Sequence, residues 1–243
     1  MTDLSKRWSD LRGIGRALTR RSWPAPTVGP AVETPYFGNF FCLTPKTDLA
    51  FVAISKNAVT FLKKVAVVHQ TGVWLPGFFG VHAAVGYTDA SPYLVKVEDM
   101  PAYEARHGAR RKFAVWRSPV GRMESTYRLF CAQGTHRENF LMAGLQFEPS
   151  AARFISYAQR EWAKPDPLWQ DEHLRRQVDY FGPDQVDDVV SLPALHDYLS
   201  DHGARFVKEL SNATSSAPVY DDRQVELIQE HYRADYEIEV TVR

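Results

Sequence analysis

With 243 residues, 44% of them hydrophobic and 24% charged, the chain has the size and composition of one globular domain, or two small ones, able to bury a sizeable core. Lysine plus arginine match aspartate plus glutamate at 29 each, which argues against a global basic field for bulk nucleic-acid binding; any anion site must be local. The two cysteines, Cys42 and Cys131, sit in apolar contexts and read as reduced core thiols rather than a disulfide framework. The start of the chain is too charged for a secretory signal, and no apolar run is long enough to span a membrane. The expectation is a cytoplasmic protein with no membrane span.

In chain order, residues 1–22 read as a basic arm or weak amphipathic helix, and the Pro- and Gly-rich residues 23–35 as an extended linker. Residues 36–43 are aromatic and are expected to lie against a sheet. These segments, 1–44, are set apart from a domain at 45–243. Leu49 to Ile54 is an apolar strand that stops at the turn Ser55-Lys56-Asn57. A helix follows at once, with Val59, Leu62, Val65 and Ala66 on one side and Lys63-Lys64 on a solvated face. Residues 69–92 are Gly-rich and aromatic and predict loops, with Trp74, Phe78 and Phe79 as core or acceptor wall. A strand is expected near 93–97, one or two helical turns at 101–107, and a strand at Lys112–Trp116. Arg117-Ser118-Pro119 ends that strand and opens a helix to about residue 133. Residues 137–163 read as helical, ended by Pro165 and Pro167. A strand at 186–192 enters a helix that stops at Gly203. Residues 211–218 form a polar loop, in which Ser211 and Asn212 are weak candidates for a nucleotide cover. Asp221 to Tyr236 is a closing helix.

A strand running through a tight turn into a helix leaves backbone N–H groups and a positive dipole end at the turn. A lysine in such a turn suggests a phosphate-like ligand. The Walker pattern GxxxxGK[ST] is absent, since no glycine lies between Leu49 and Val68. Two strand–turn–helix units of this kind predict an α/β fold with a parallel sheet and a ligand at the carboxyl ends of its strands.

The first turn, with Lys56, Ala58 and Thr60, resembles the 5′-phosphosulfate loop of sulfotransferases. The second, Arg117 to Tyr127, resembles their 3′-phosphate motif, with Arg117 and Ser125 at the two phosphate-holding positions. The order of DEHLRRQ (Asp171 to Gln177), VDDVVSLPALHDYL and a helix ending in Tyr232, Asp235 and Tyr236 is similar to the carbohydrate sulfotransferase branch. Four positions depart from the motifs: Ser55, Val59, Ser118 and Gly121. The resemblance spans roughly residues 45–240. It implies a P-loop-containing three-layer sandwich with a central parallel sheet. The implied reaction moves a sulfuryl group from 3′-phosphoadenosine 5′-phosphosulfate (PAPS) to an acceptor hydroxyl of a carbohydrate or hydroxylated metabolite, in line and without a metal.

In this scheme Lys56 stabilises charge on the leaving oxygen, and the N–H groups of Asn57, Ala58, Val59, Thr60 and Phe61, with the Thr60 hydroxyl, hold the 5′-phosphate. A general base is expected between the two motifs. His82, in a glycine-flanked loop, is the leading choice and Glu98 the second, with His69, Glu104 and His107 also in the interval. An ordinary hydrogen-bonded loop histidine is the competing reading of His82. His173 and Gln177, four apart, would share a helical face and line the acceptor site. The competing picture there is a solvated helix with Arg175 and Arg176 outward. A P-loop phosphotransferase and a non-catalytic nucleotide-binding scaffold are the alternative functions. Acceptor identity and oligomeric state are left open.

Overall fold

Along Leu49–Val52 the side chains alternate between two packed faces, and all four are buried. Leu49 and Phe51 join one apolar cluster, Ala50 and Val52 another. A strand covered on both sides needs an unbroken apolar run, which is what LAFV supplies. The computed structural model describes residues 38–75, 79–86, 90–208 and 219–243. The basic arm, the linker, Phe78, Ser211 and Asn212 lie outside the described residues.

Five strands form one sheet, β1 (Phe40–Leu43), β2 (Leu49–Val52), β3 (Leu94–Lys96), β4 (Arg111–Trp116) and β5 (Asp188–Ser191), in the order β3-β1-β2-β4-β5. β2, β4 and β5 are parallel, whereas β1 runs antiparallel to both β2 and β3. The sheet is therefore mixed, not parallel throughout. The cause is the short connection from β1 to β2, residues 44–48, in which Lys46 takes φ 61° and Thr47 Oγ1 donates to the Thr44 carbonyl at 2.8 Å. A connection this short can only return the chain antiparallel. β1 lies within the sheet, between β3 and β2.

Helix α1 (Val59–Thr71) follows β2 and packs on the face carrying Leu49 and Phe51, together with α2 (Phe79–Val85) and α7 (Leu195–Asp201). The opposite face is closed by α3 (Met100–His107) through Met100, and by Tyr180. Lys63 and Lys64 are not on a solvated face. Both are buried, Lys63 against α2 and near Cys42 of β1, Lys64 beside Trp74. Lys63 Nζ donates to the Gly86 carbonyl at 3.1 Å, and Lys64 Nζ sits 5.7 Å from the Trp74 ring centroid.

A second core lies among α4 (Pro119–Tyr127), α5 (Arg137–Met142), α6 (Ala151–Trp162) and α8 (Asp222–His231), with Phe130, Phe154, Tyr157 and Tyr232 at its centre. The expected helix over 137–163 is two helices. Gly144 at φ 68° ends α5, and Ser150 opens α6 by accepting from Arg153 N–H at 3.2 Å. The closing helix is likewise divided, at Tyr232, into α8 and α9 (Arg233–Tyr236). Cys42 and Cys131 are buried and form no disulfide; burial pushes their thiols up to about 12 and about 11, out of the reactive range. Among the described residues no helix is long and apolar enough to cross a membrane.

Candidate functional site

β2 and β4 are adjacent and parallel, so the turns that follow them leave the same edge of the sheet. The first is residues 55–58. Lys56 and Ala58 both take left-handed backbone, φ 68° and 61°, which is costly for residues with a Cβ. Two such residues in three positions make a tight turn, in which Asn57 N–H, expected on the phosphate, instead donates to the Ile54 carbonyl at 3.2 Å. Ala58 is the N-cap of α1 and has no side chain to bond the first-turn amides, and that turn carries no acidic residue. The amides of Val59, Thr60 and Phe61 head the helix with its positive end.

The second turn places Arg117 after β4, Ser118 as N-cap of α4 and Pro119 at the first helical position. The Arg117 guanidinium donates to the Lys56 carbonyl at 3.0 Å, so the two sequence-predicted motifs meet. Ser125 is half-buried on α4, six residues into the helix and about 9 Å along its axis.

Beneath the two turns lies Arg122, 1% exposed. Its guanidinium donates to three carbonyls, Ser55 at 3.0 Å, Arg175 at 2.6 Å and Glu172 at 3.1 Å. Among the described residues no carboxylate lies within ion-pair distance of Lys56, Arg117 or Arg122. The electrostatic consequence is visible in their acidities. Burial first, then the Arg117 and Arg122 charges, lower Lys56 to about 8. Burial and Arg122 also lower Arg117. A half-buried cluster of cations with, among the described residues, no carboxylate in ion-pair reach is unfavourable alone and favourable around an anion.

The segment 171–177 is not a helix. Turns carry it from Asp171 to Arg176, and a 3-10 turn begins at Gln177, so His173 and Gln177 do not share a helical face. Gln177 is 1% exposed and its amide is bound within the frame. Its Oε1 accepts from Asn57 Nδ2 at 2.5 Å and Arg117 N–H at 3.1 Å, while its Nε2 donates to the Arg117 carbonyl at 3.0 Å. It is a strut tying both turns together. Asp235 braces it, accepting from Gln177 N–H at 2.9 Å and Val178 N–H at 3.0 Å. Tyr232 bonds the Leu174 carbonyl. The Tyr-x-x-Asp ending of the sequence thus grips the 174–178 segment. Arg175, outward in the competing picture, is fully buried, bonded to Asn39 Oδ1 at 2.7 Å and lying 4.3 Å over the Tyr180 ring. Arg176 does lie partly exposed, paired with Asp179 at 2.9 Å.

His82 lies in α2, not in a loop, and is brought to the first turn of α1. Its Nε2 is 3.1 Å from Thr60 Oγ1 and its Nδ1 is 3.4 Å from Lys63 Nζ. Burial and the Lys63 charge lower it to about 4. His173 and His136 are nearby; their rings are 5.2 Å apart, and His136 also feels the Lys56 charge. A π-helical turn at Arg128–Ala132, continuing α4, brings Phe130 under both imidazoles, 4.4 Å from His136 and 5.2 Å from His173. His136 was not singled out by the sequence, and Asp171 entered only as the first residue of DEHLRRQ; His136 and His173 lie 37 residues apart and carry no local signal of their meeting.

Of the remaining interval candidates, Glu98 is exposed beside β3, the far edge strand. His107 is exposed and stacks on Tyr103, and Glu104 pairs with Lys112 at 2.9 Å. His69 lies in the last turn of α1, its Nε2 accepting from Arg205 N–H at 2.6 Å. None of these is brought to the two turns.

Fold and site together define an α/β protein with a mixed five-stranded sheet and a cationic double turn at the carboxyl ends of two parallel strands. No protein-family model, no curated protein and no solved structure matches the chain.

Proposed function

We propose that this protein is a PAPS-dependent sulfotransferase with a P-loop-type scaffold, acting on a hydroxyl of a carbohydrate or hydroxylated metabolite. The observation that carries the reading is the meeting of Lys56 and Arg117 across two adjacent turns, with Arg122 buried behind them and, among the described residues, no carboxylate within ion-pair distance of the three. A donor with phosphates at both its 3′ and 5′ positions needs two cationic sites on one edge of a sheet. A mononucleotide needs one.

The donor's 5′-phosphate lies on the amides of Ala58 to Phe61 and the Thr60 hydroxyl. Its 3′-phosphate lies against Arg117 and Ser125, where a guanidinium fork suits a dianion. Lys56 faces the oxygen that bridges sulfur and phosphorus. Positioning and charge stabilisation supply most of the rate in transfers of this kind. Lys56, lowered to about 8 yet still charged at neutral pH, is well matched to a leaving oxygen that gains charge.

Calorimetric titration with adenosine 3′,5′-bisphosphate, adenosine 5′-monophosphate and ATP–magnesium tests the reading. Tight binding of the bisphosphate alone, lost in Arg117→Ala, is the expected result. Preference for ATP–magnesium points instead to a phosphotransferase. Bisphosphate binding with no turnover on any acceptor would leave a scaffold.

A further inference from the structure

Three histidines gather beside the double turn, and they are held in different ways. Both ring nitrogens of His82 face α1, one toward the Thr60 hydroxyl and one toward the Lys63 ammonium. A proton taken by His82 would place a second positive charge 3.4 Å from Lys63 Nζ. His136 stacks on Phe130 and, among the described residues, has no carboxylate within ion-pair distance.

His173 is different. Its Nδ1 lies 2.8 Å from Asp171 Oδ1, and Asp171 is fully buried. That carboxylate is held on every side. Oδ1 also accepts from His173 N–H at 2.9 Å, and Oδ2 accepts from Tyr157 O–H at 2.7 Å and Asn139 Nδ2 at 2.8 Å. With its orientation fixed, an ionised Asp171 requires the proton of neutral His173 to sit on Nδ1. The lone pair is then on Nε2, which lies 4.0 Å from Glu172 Oε1, beyond hydrogen-bond reach, on a side chain that is 15% exposed. The place of this imidazole is also fixed. Arg122 binds the Ser55 and Glu172 carbonyls with one guanidinium, and Thr126 Oγ1 reaches the His173 carbonyl at 3.4 Å. The residue before His173 and the residue before Lys56 are therefore joined by a single side chain.

The geometry points to His173 as the general base of the transfer and Asp171 as its positioning residue, an assignment that rests on the sulfotransferase reading. The acceptor hydroxyl gives its proton to Nε2 as its oxygen attacks the sulfur of PAPS. The bond from sulfur to the bridging oxygen breaks, and its electron pair leaves on adenosine 3′,5′-bisphosphate beside Lys56. The products are a sulfate ester, the bisphosphate and a protonated His173 whose new charge faces Asp171. The base comes after the second phosphate motif, not between the two.

Long-range nitrogen–proton NMR of the imidazoles in the full chain tests the dyad without needing an acceptor. The expected spectrum has His173 protonated on Nδ1 in the wild type and on Nε2 in Asp171→Asn. A wild-type Nε2–H tautomer overturns the assignment. Release of bisphosphate from PAPS, with water and a panel of sugar alcohols as acceptors, tests the role. His173→Gln should slow it about 10²–10⁴-fold and His82→Gln less than about tenfold. Bisphosphate affinity should stay within about twofold in His173→Gln, since only a transition-state interaction is removed. The reverse ranking of the two variants makes His82 the base. If Asp171→Asn does not fold, that ranking decides alone. Failure of the wild type to bind the bisphosphate sinks the donor reading and the role given to Nε2, while the tautomer spectrum still reports whether the dyad exists.

Discussion

Ala58 is the sharpest conflict between a residue and its backbone in this chain. Alanine gains nothing from left-handed φ, and the conformation costs about 1–2 kcal/mol, yet the turn before α1 requires it. Ala58→Gly should remove most of that cost, offset in part by the freer unfolded chain. We expect a net gain of about 1 kcal/mol and a melting temperature higher by roughly 2–4 °C, read by calorimetry. A fall in stability would mean that the alanine methyl packs with more benefit than its backbone loses. At the same scale, Lys56 carries a test of the donor site. Its ammonium deprotonates near pH 8 in the free protein, chiefly because it is buried. A bound anion favours the charged form, so affinity for the bisphosphate should fall as pH rises above about 8, by up to about tenfold per pH unit. Lys56→Arg, which stays charged, should show a flat profile across the same range in the same titrations.

Between elements, the decisive link is one glutamine. Gln177 holds Asn57 of the first turn and both the N–H and the carbonyl of Arg117 in the second, and Asp235 of α9 holds Gln177. Gln177→Ala leaves several buried polar groups unpaired, and each costs about 1–3 kcal/mol. We expect a stability loss of about 2–4 kcal/mol in denaturant melts and, in the protein that remains folded, a bisphosphate affinity at least about tenfold weaker. Lower stability with unchanged affinity would show that the turns keep their relative position without the strut.

Across the whole molecule, the buried titratable groups set the acid limit. His82 and His231 are held to about 4, mainly by burial, against an ordinary value of 6.5. Between those values the unfolded chain binds more protons, so stability rises with pH through that window and is lost on acidification from about 6.5 to 4. Asp171 is held well below the carboxylate range by the charge and hydrogen bonds of His173, which outweigh its burial. Its contribution is complete above the unfolded value near 4 and is lost as pH falls further. Asp235 runs the other way, raised by burial, and its contribution declines as pH rises through its own titration. The histidine window dominates because burial lowers His69 and His136 as well, four groups in the same direction. Denaturant midpoints should therefore drop steadily from pH 6.5 to 4, and His231→Gln, away from the double turn, should flatten that slope. A midpoint independent of pH over this range would show that neither histidine is held neutral by the fold.

Local chemistry was legible in the linear chain wherever a residue and its immediate neighbours decide the outcome. The apolar run LAFV, the lysine turn, the helix behind it, the Arg117-Ser118-Pro119 exit from β4 and the Asp221 helix start all depend on contacts within a few residues. Periodicity and capping describe such contacts well. What it could not yield are the pairings between distant segments. The place of β1 between β3 and β2 follows from how the sheet closes, and the burial of Lys63, Lys64 and Arg175 follows from which elements cover them. The path of the turns through 171–176 depends on distant partners as well as local ones: Arg122, Thr126 and Glu161 bond the backbone of Arg175, His173 and Asp171. Tertiary structure alone put Asp171 and His173 beside Ser55, through one buried arginine, and gave Gln177 a frame role instead of an acceptor contact. A buried polar group takes whichever partners the fold brings within reach, and sequence distance does not tell which those will be.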